Sequence, residues 1–281
     1  MQKYLSFTKY KWNIILVNKM KLPKSIKQST LVKYIYFKFR WLQNYYLFLR
    51  DYKKFNLLLK NNSQEMLSWN DRYPCLSDRT ATTSFDTHYV YHTAWAARVL
   101  HQINPTKHID ISSSIYFNAI VSAFIPIEFY DYRPAKIVLS NLAPKEGNLT
   151  ALPFKDKSIL SLSCMHVLEH IGLGRYGDTL DSDGDKKAIK ELKRVLSPNG
   201  NLLIVVPVGQ PTVNFNAHRV YGYEQILDFF QDFKLIEFSL LTDDEKGGDF
   251  ILNADPEIVK KQKYGCGCFW FQYKEETDDH Y

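Results

Sequence analysis

His166, Glu169 and His170 stand at positions i, i+3 and i+4. On a helix that spacing places two imidazoles and a carboxylate on one face. Three readings are open. With His218, from the run Phe215-Asn216-Ala217-His218-Arg219-Val220, as a fourth ligand, the cluster suits an imidazole-tolerant divalent metal such as zinc, manganese or iron. In the second reading His166 or His170 is a general base for an acceptor hydroxyl, oriented by Glu169. In the third the group is structural, capping a helix start and tying loops together.

The loop that follows, Gly172 to Gly184, holds four glycines with Arg175, Tyr176, Asp178, Asp181 and Asp183. It does not fit a calcium loop, since the sixth position from Asp181 is Lys186 rather than glycine. Arg175 can grip an anionic acceptor bidentately. Tyr176, Asp178 and Arg219 are grouped with it on the acceptor side, and the acids can accept bonds from sugar hydroxyls. The alternative is a glycine-rich surface turn. Cys266-Gly267-Cys268 enters an apolar strand and reads as buried, unreactive thiols, as do Cys75 and Cys164. His88, Tyr89, Tyr91 and His92 either cover a cofactor or pack, and packing is the simpler expectation.

Positioning these residues requires alternating strands and helices. Strands are expected at 108–112, 127–132, 159–165, 201–208, 233–241 and 268–274. Helices are expected ending near 101, over 116–124, over 185–196 with Asp183 or Asp185 as cap, and near 223–230. The turn 197–200 (Ser-Pro-Asn-Gly) should stop the third helix. This alternation implies an α/β fold with a doubly wound, mostly parallel sheet. Ligands of such sheets bind at the carboxyl ends of the central strands. Those ends carry Asp110 with Ser112, Ser113 and Ser114, then Asp131, then His166. No glycine stands in the first of these loops, where a phosphate-cradling turn normally has one.

The order strand–Asp110, strand–Asp131, Leu149-Thr150-Ala151-Leu152-Pro153-Phe154, strand–His166-Val167-Leu168-Glu169-His170 and Leu196-Ser197-Pro198-Asn199-Gly200 resembles class I S-adenosylmethionine-dependent methyltransferases. Residues 74–98 and 166–185, the latter containing Gly-Leu-Gly-Arg-Tyr-Gly-Asp, resemble more narrowly an uncharacterised family catalogued as a domain of unknown function. The likeness spans roughly residues 50–274. It implies a Rossmann-like sheet of seven strands and S-adenosylmethionine as cofactor. Asp110 and Ser112–Ser114 would face its methionine end, Asp131 its ribose, and Asn148 and Leu149 its adenine. The His166–His170 cluster is similar to the Glu-x-x-Glu-His metal sites of certain O-methyltransferases, His166 standing in place of the first Glu. The implied acceptor bears a hydroxyl, as in a sugar or lipid-linked sugar of surface polysaccharide. The alternatives are a binding or scaffold protein that keeps the fold without the cofactor, and a sugar-nucleotide enzyme.

The chain has 281 residues, 45% of them hydrophobic and 23% charged, which excludes disordered, collagenous and disulfide-scaffold classes. Its net charge of +6 conceals a division. Residues 1–60 hold 14 Lys and Arg and one acid, Asp51, while the remainder holds 22 bases and 29 acids. We therefore divide the chain into a basic helical extension, 1–60, and an α/β domain, 61–281. Over 31–50 a helix would gather Leu31, Ile35, Phe39, Leu42, Tyr46 and Leu49 on one face, with Lys33, Arg40, Gln43, Asn44 and Arg50 opposite. Such a helix suits an anionic membrane surface or packs on its own domain or a second subunit; nucleic acid is not expected. The apolar run Trp12–Val17 is too short for a secretory signal, and the sparse cysteines fit a reducing, cytoplasmic setting, peripheral at the inner membrane surface.

Overall fold

The structure is a computed structural model that describes residues 30–62, 64–244 and 248–273. The run Trp12–Val17 and the rest of the basic arm up to residue 29 lie outside the described residues. The chain divides into two compact units, one reaching to Asp86 and one beginning at Thr87.

In the first unit helix α1 runs from Thr30 to Asn61. Its apolar stripe, Leu31, Ile35, Phe39, Leu42 and Tyr46, is exposed along its length. The segment after it folds back along the helix. Asn44 donates to the Leu76 carbonyl at 2.7 Å, and the Leu67 N–H donates to Asn56 Oδ1 at 2.9 Å. Trp69 meets Tyr52 edge-on. Among the described residues no helix is long and apolar enough to cross a membrane.

The second unit is built on ten strands. These are β1 (His108–Ile111), β2 (Ile127–Asp131), β3 (Leu142–Glu146), β4 (Ile159–Met165), β5 (Leu196–Val208), β6 (Thr212–Asn214), β7 (His218–Val220), β8 (Phe233–Leu241), β9 (Phe250–Ile251) and β10 (Gly265–Tyr273). The main sheet has the order β3-β2-β1-β4-β5-β10-β8-β9, and β6 and β7 form a separate hairpin. Strands β1 to β5 pair in parallel, whereas β10 runs antiparallel between β5 and β8. The sheet therefore has eight strands where seven were expected. The added member is β9, two residues that return after Thr242 to pair with Leu240 and Leu241. β3 escaped the hydrophobic pattern because it is an edge strand carrying Pro144, Lys145 and Glu146, residues that edges tolerate and central strands do not.

β5 shows why a parallel centre reads as a continuous apolar run. Leu202, Ile204 and Val206 face one core with Ala188, Ile189 and Leu192, while Leu203 and Val205 face the other with Trp95, Val99 and Phe117. Four helices cover the two faces: α2 (Thr87–Ile103), α3 (Ile115–Val121), α4 (Gly184–Val195) and α5 (Tyr223–Phe229). α4 presents Ala188, Ile189, Leu192 and Val195 inward, as its period requires. Its start is not capped in the expected way. Asp183 occupies the cap position without a capping bond and pairs with Lys186 at 2.7 Å, and Asp185 is turned inward. Nor does the helix end in a free turn, since α4 passes directly into β5 at Leu196. The chain builds outward from β1 to β3, then returns to place β4 on the other side of β1. The strand order thus reverses between β1 and β4, which marks the ligand edge.

Candidate functional site

Two residues at that edge share an unusual backbone. Ser112, after β1, has φ +55°, and His166, after β4, has φ +56°. Left-handed conformations are uncommon for residues with a Cβ and gather at functional loops. The loop without glycine therefore makes a glycine-like turn with serine. The Ser112 N–H donates to the Tyr130 carbonyl at 2.8 Å, and its hydroxyl donates to the same oxygen at 3.2 Å. The Met165 N–H donates to Ser113 Oγ at 3.0 Å, joining this loop to the end of β4. Ser114 occupies the cap position of α3, and all three serines are half-buried.

Asp110 is fully buried. Its Oδ1 accepts from the Ser113 N–H at 3.1 Å and from Asn118 at 2.9 Å, and its Oδ2 accepts from the Ser163 hydroxyl. Burial raises its pKa against the pull of these donors. The carboxylate thus shapes the loop from beneath. Behind it Ser163 and Ser161 bracket His108, each at 2.8 Å. Because Ser163 gives its proton to Asp110, His108 Nε2 donates to Ser163 and Nδ1 accepts from Ser161. Burial holds His108 neutral, with its pKa lowered to about 3. At the end of β2, Asp131 is half-exposed and accepts the Arg133 N–H on Oδ1 at 2.7 Å. Asn148 is exposed and accepts from the Thr150 N–H and hydroxyl, and the Leu149 side chain is buried in the core.

The His166–His170 segment does not form the single helical face that its spacing suggests. His166 precedes a short 3-10 turn, Leu168–His170, yet both imidazoles turn to Glu169 Oε1, His166 Nδ1 at 2.8 Å and His170 Nε2 at 3.7 Å. His166 Nδ1 lies 2.8 Å from Glu169 Oε1, and its Nε2 lies 3.5 Å from Cys266 Sγ. Burial alone would lower the pKa of His166, but Cys266 and Glu169 lift it to about 10. Burial alone would raise the Cys266 thiol, but Cys268 and His166 bring it well below its ordinary value. Each of the two thus favours the charged form of the other. Cys164 and Cys268, by contrast, are thiols pushed up by burial. Around His166 lie rings from α2. His88 stacks on it at 5.4 Å, Tyr89 at 5.7 Å, and His92 stands edge-on at 4.9 Å.

His170 Nδ1 donates to the Ala217 carbonyl at 2.7 Å, and its Nε2 accepts from Arg175 Nη1 at 3.3 Å. Burial lowers its pKa, and Arg175 adds to that effect. Arg175 Nη1 reaches the same carbonyl at 3.1 Å and stacks on Tyr176, which Arg133 also approaches. His218 rests against Tyr264 and meets Asn214 at 3.3 Å, and burial lowers its pKa. His166 and His170 thus gather about Glu169 Oε1, while His218 turns to Tyr264 and Asn214. Among the described residues the group with metal-ligand atoms within 4.8 Å of one another is His88, His166 and Cys266.

On the acceptor side, only Arg175 and Tyr176 are exposed among the four residues singled out from sequence. Asp178 folds into its own loop, accepting from the N–H groups of Gly172, Gly174 and Tyr176. Burial would raise its pKa, but these donors hold it below the carboxylate range. Gly172 has φ +78°, and a Cβ there would fall 2.1 Å from the Asp181 carbonyl oxygen. Arg219 is buried and donates to the carbonyls of Ile171 and Ser182, which fixes the loop from below. A cleft of about 280 Å³ is lined by Lys107, Glu128 and Asn141 at the amino ends of β1 to β3, on the opposite edge from this chemistry.

A family model described as a Caenorhabditis protein of unknown function, DUF268, matches residues 149–255. No curated protein matches the chain. Among solved structures it is similar to the N-methyltransferase NodS of Bradyrhizobium japonicum WM9, solved with S-adenosyl-L-homocysteine. The identity there is 14% over 72% of this chain and 92% of that one, with a TM-score of 0.48. A SAM-dependent methyltransferase from Methanosarcina mazei shares 14% identity over 63% and 98%, with a TM-score of 0.41. Another from Thermotoga maritima shares 14% over 67% and 92%, with a TM-score of 0.43. In this sheet β10 brings Cys266 to the edge that already holds His166, a meeting across 100 residues that no local pattern announces. The recoverable signal was the i, i+4 spacing of His88 and His92, one turn apart on α2.

Proposed function

We propose that the protein binds S-adenosylmethionine at the carboxyl edge of β1 and β2 and methylates a hydroxyl-bearing acceptor. The observation that carries this reading is the reversal of strand order between β1 and β4, with Asp131 half-exposed at the end of the next strand. The residues present fit the cofactor. Asp131 spends Oδ1 on its own turn, so Oδ2 serves the ribose hydroxyls by charge-assisted bonds. The left-handed Ser112 gives the close backbone approach usually left to glycine, and Ser113 and Ser114 extend the cradle. Asn148 lies beside the adenine position, and Asp110 holds the loop from beneath. Bound there, the cofactor supplies an electrophilic methyl group on a sulfonium.

His170 takes the acceptor proton on Nε2, the acceptor hydroxyl replacing the Arg175 Nη1 that meets this nitrogen at 3.3 Å, since its Nδ1 is committed to Ala217 and its lowered pKa keeps it neutral. Arg175, Tyr176 and Arg133 form a basic aromatic corner beside it, which suits an anionic, hydroxyl-rich acceptor such as a phosphorylated or lipid-linked sugar. The exposed apolar stripe of α1, with Lys38, Arg40 and Arg50, suits docking on an anionic membrane surface. Calorimetric titration with S-adenosylmethionine and S-adenosylhomocysteine tests the reading. Micromolar binding that Asp131→Ala abolishes is expected. No binding by the unaltered protein would overturn it in favour of a binding protein without cofactor.

A further inference from the structure

We infer that His88, His166 and Cys266 form a binding site for one divalent cation of the zinc type, with His92 beside it as an acceptor for metal-bound water. The ligands come from three elements that converge at one point: the first turn of α2, the residue after β4, and the start of β10. Their donor atoms lie within 4.8 Å of one another. Zinc takes imidazole nitrogen at about 2.0–2.1 Å and thiolate sulfur at about 2.3 Å, so two tetrahedral ligands of these kinds stand about 3.6 Å apart. His166 Nε2 and Cys266 Sγ are 3.5 Å apart.

The hydrogen bonds around the cluster prepare the lone pairs that a metal needs. Glu169 accepts from His166 Nδ1 at 2.8 Å, the carboxylate–histidine arrangement that orients a ligand and makes it more basic. That bond leaves Nε2 facing Cys266 Sγ. His166 is held in a left-handed backbone that places its ring between Cys266 and His88.

His92 is the independent sign. Its Nδ1 donates to the His88 carbonyl at 2.6 Å, so Nε2 must be the bare lone pair. That nitrogen is buried and has no hydrogen-bond partner, as has Glu169 Oε2. A buried acceptor without a donor is costly, and water on a neighbouring cation supplies the donor that His92 lacks. Three protein ligands with a fourth position left to water is the composition of an open site, and His–His–Cys suits a borderline-soft ion rather than magnesium or calcium.

The test uses the full chain, with zinc and cobalt chloride as probes. One equivalent of zinc should remain after gel filtration, measured by elemental analysis. The cobalt form should show a thiolate-to-cobalt charge-transfer band. Cys266→Ser should abolish that band, and His88→Ala, a half-buried change, should lower zinc affinity at least tenfold in chelator competition. Glu169→Gln, a positioning change, should lower it about 10- to 100-fold. Circular dichroism confirms that each variant is folded. Absence of stoichiometric metal from the unaltered chain, or undiminished affinity in folded His88→Ala, would overturn the inference. Neither S-adenosylmethionine nor an acceptor enters these measurements, so their outcome is separate from that of the methyl-transfer reading.

Discussion

Arg219 Nε lies 3.4 Å from Asp185 Oδ2, and both side chains are buried beneath the loop that carries Arg175. Asp185 also accepts from the Tyr221 hydroxyl at 3.0 Å. Removing one partner of such a pair leaves a buried charge uncompensated, at a cost of about 3–5 kcal/mol. Arg219→Ala should therefore destabilise the fold by that amount in urea denaturation. Arg175→Ala, at an exposed position, should change stability by less than about 0.5 kcal/mol while weakening acceptor binding. Equal stability losses in the two variants would contradict the division of roles.

His108 makes acid stability a readout of the buried chain Ser161–His108–Ser163–Asp110. Burial lowers its pKa to about 3 in the folded protein, against 6.5 for an ordinary histidine. A histidine with a depressed folded pKa contributes stability above its unfolded pKa and loses it as pH falls toward the folded value. Uptake on unfolding should be about half a proton at pH 6.5 and close to one from about pH 5.5 down to 4, a slope there of about 1.4 kcal/mol per pH unit. Denaturation midpoints of the native chain and His108→Gln should converge as pH falls through that window. Parallel curves would mean that His108 titrates normally.

The left-handed serine can be tested by shape. Ser112→Gly should stay within about 0.5 kcal/mol of the native chain, because relief of the positive φ offsets the lost hydroxyl bond to Tyr130. Ser112→Val should cost about 2 kcal/mol, since a β-branched residue resists that region. Thermal unfolding of the two variants gives the ranking, and a stable valine variant would remove the turn from the argument.

If His170 is the base, His170→Asn should reduce kcat for methyl transfer by about 10²- to 10⁴-fold. The Kd for S-adenosylhomocysteine should not change, because His170 faces Ala217 and Arg175 rather than the Ser112 loop. A loss of cofactor binding instead would place His170 in the cofactor site.

The strand ends that frame the site were legible because buried parallel strands announce themselves as apolar runs, and Asp110, Asp131 and His166 follow those runs directly. Roles within the site were less legible. Asp178 and Arg219 have the composition of acceptor-binding residues, yet their polar atoms are consumed by backbone groups within the loop's own fold. Spacing put His166, Glu169 and His170 together, and both imidazoles do reach Glu169, but through a left-handed residue and a 3-10 turn instead of one helical face. Cys266 reads locally as one of two apolar thiols. Its partner is set by the register of β10 against β5, where Cys266 lies opposite Pro207, and register between distant strands leaves no local trace.

The late strand β10 has a consequence for how the protein is made. It is inserted between β5 and β8, both of which leave the ribosome before it. A nascent chain that stops short of Gly265 presents two unpaired strand edges and lacks Cys266. Assembly of the sheet and completion of the His166 cluster are thus a single event in biosynthesis, and truncated products should aggregate instead of accumulating as soluble, half-built protein.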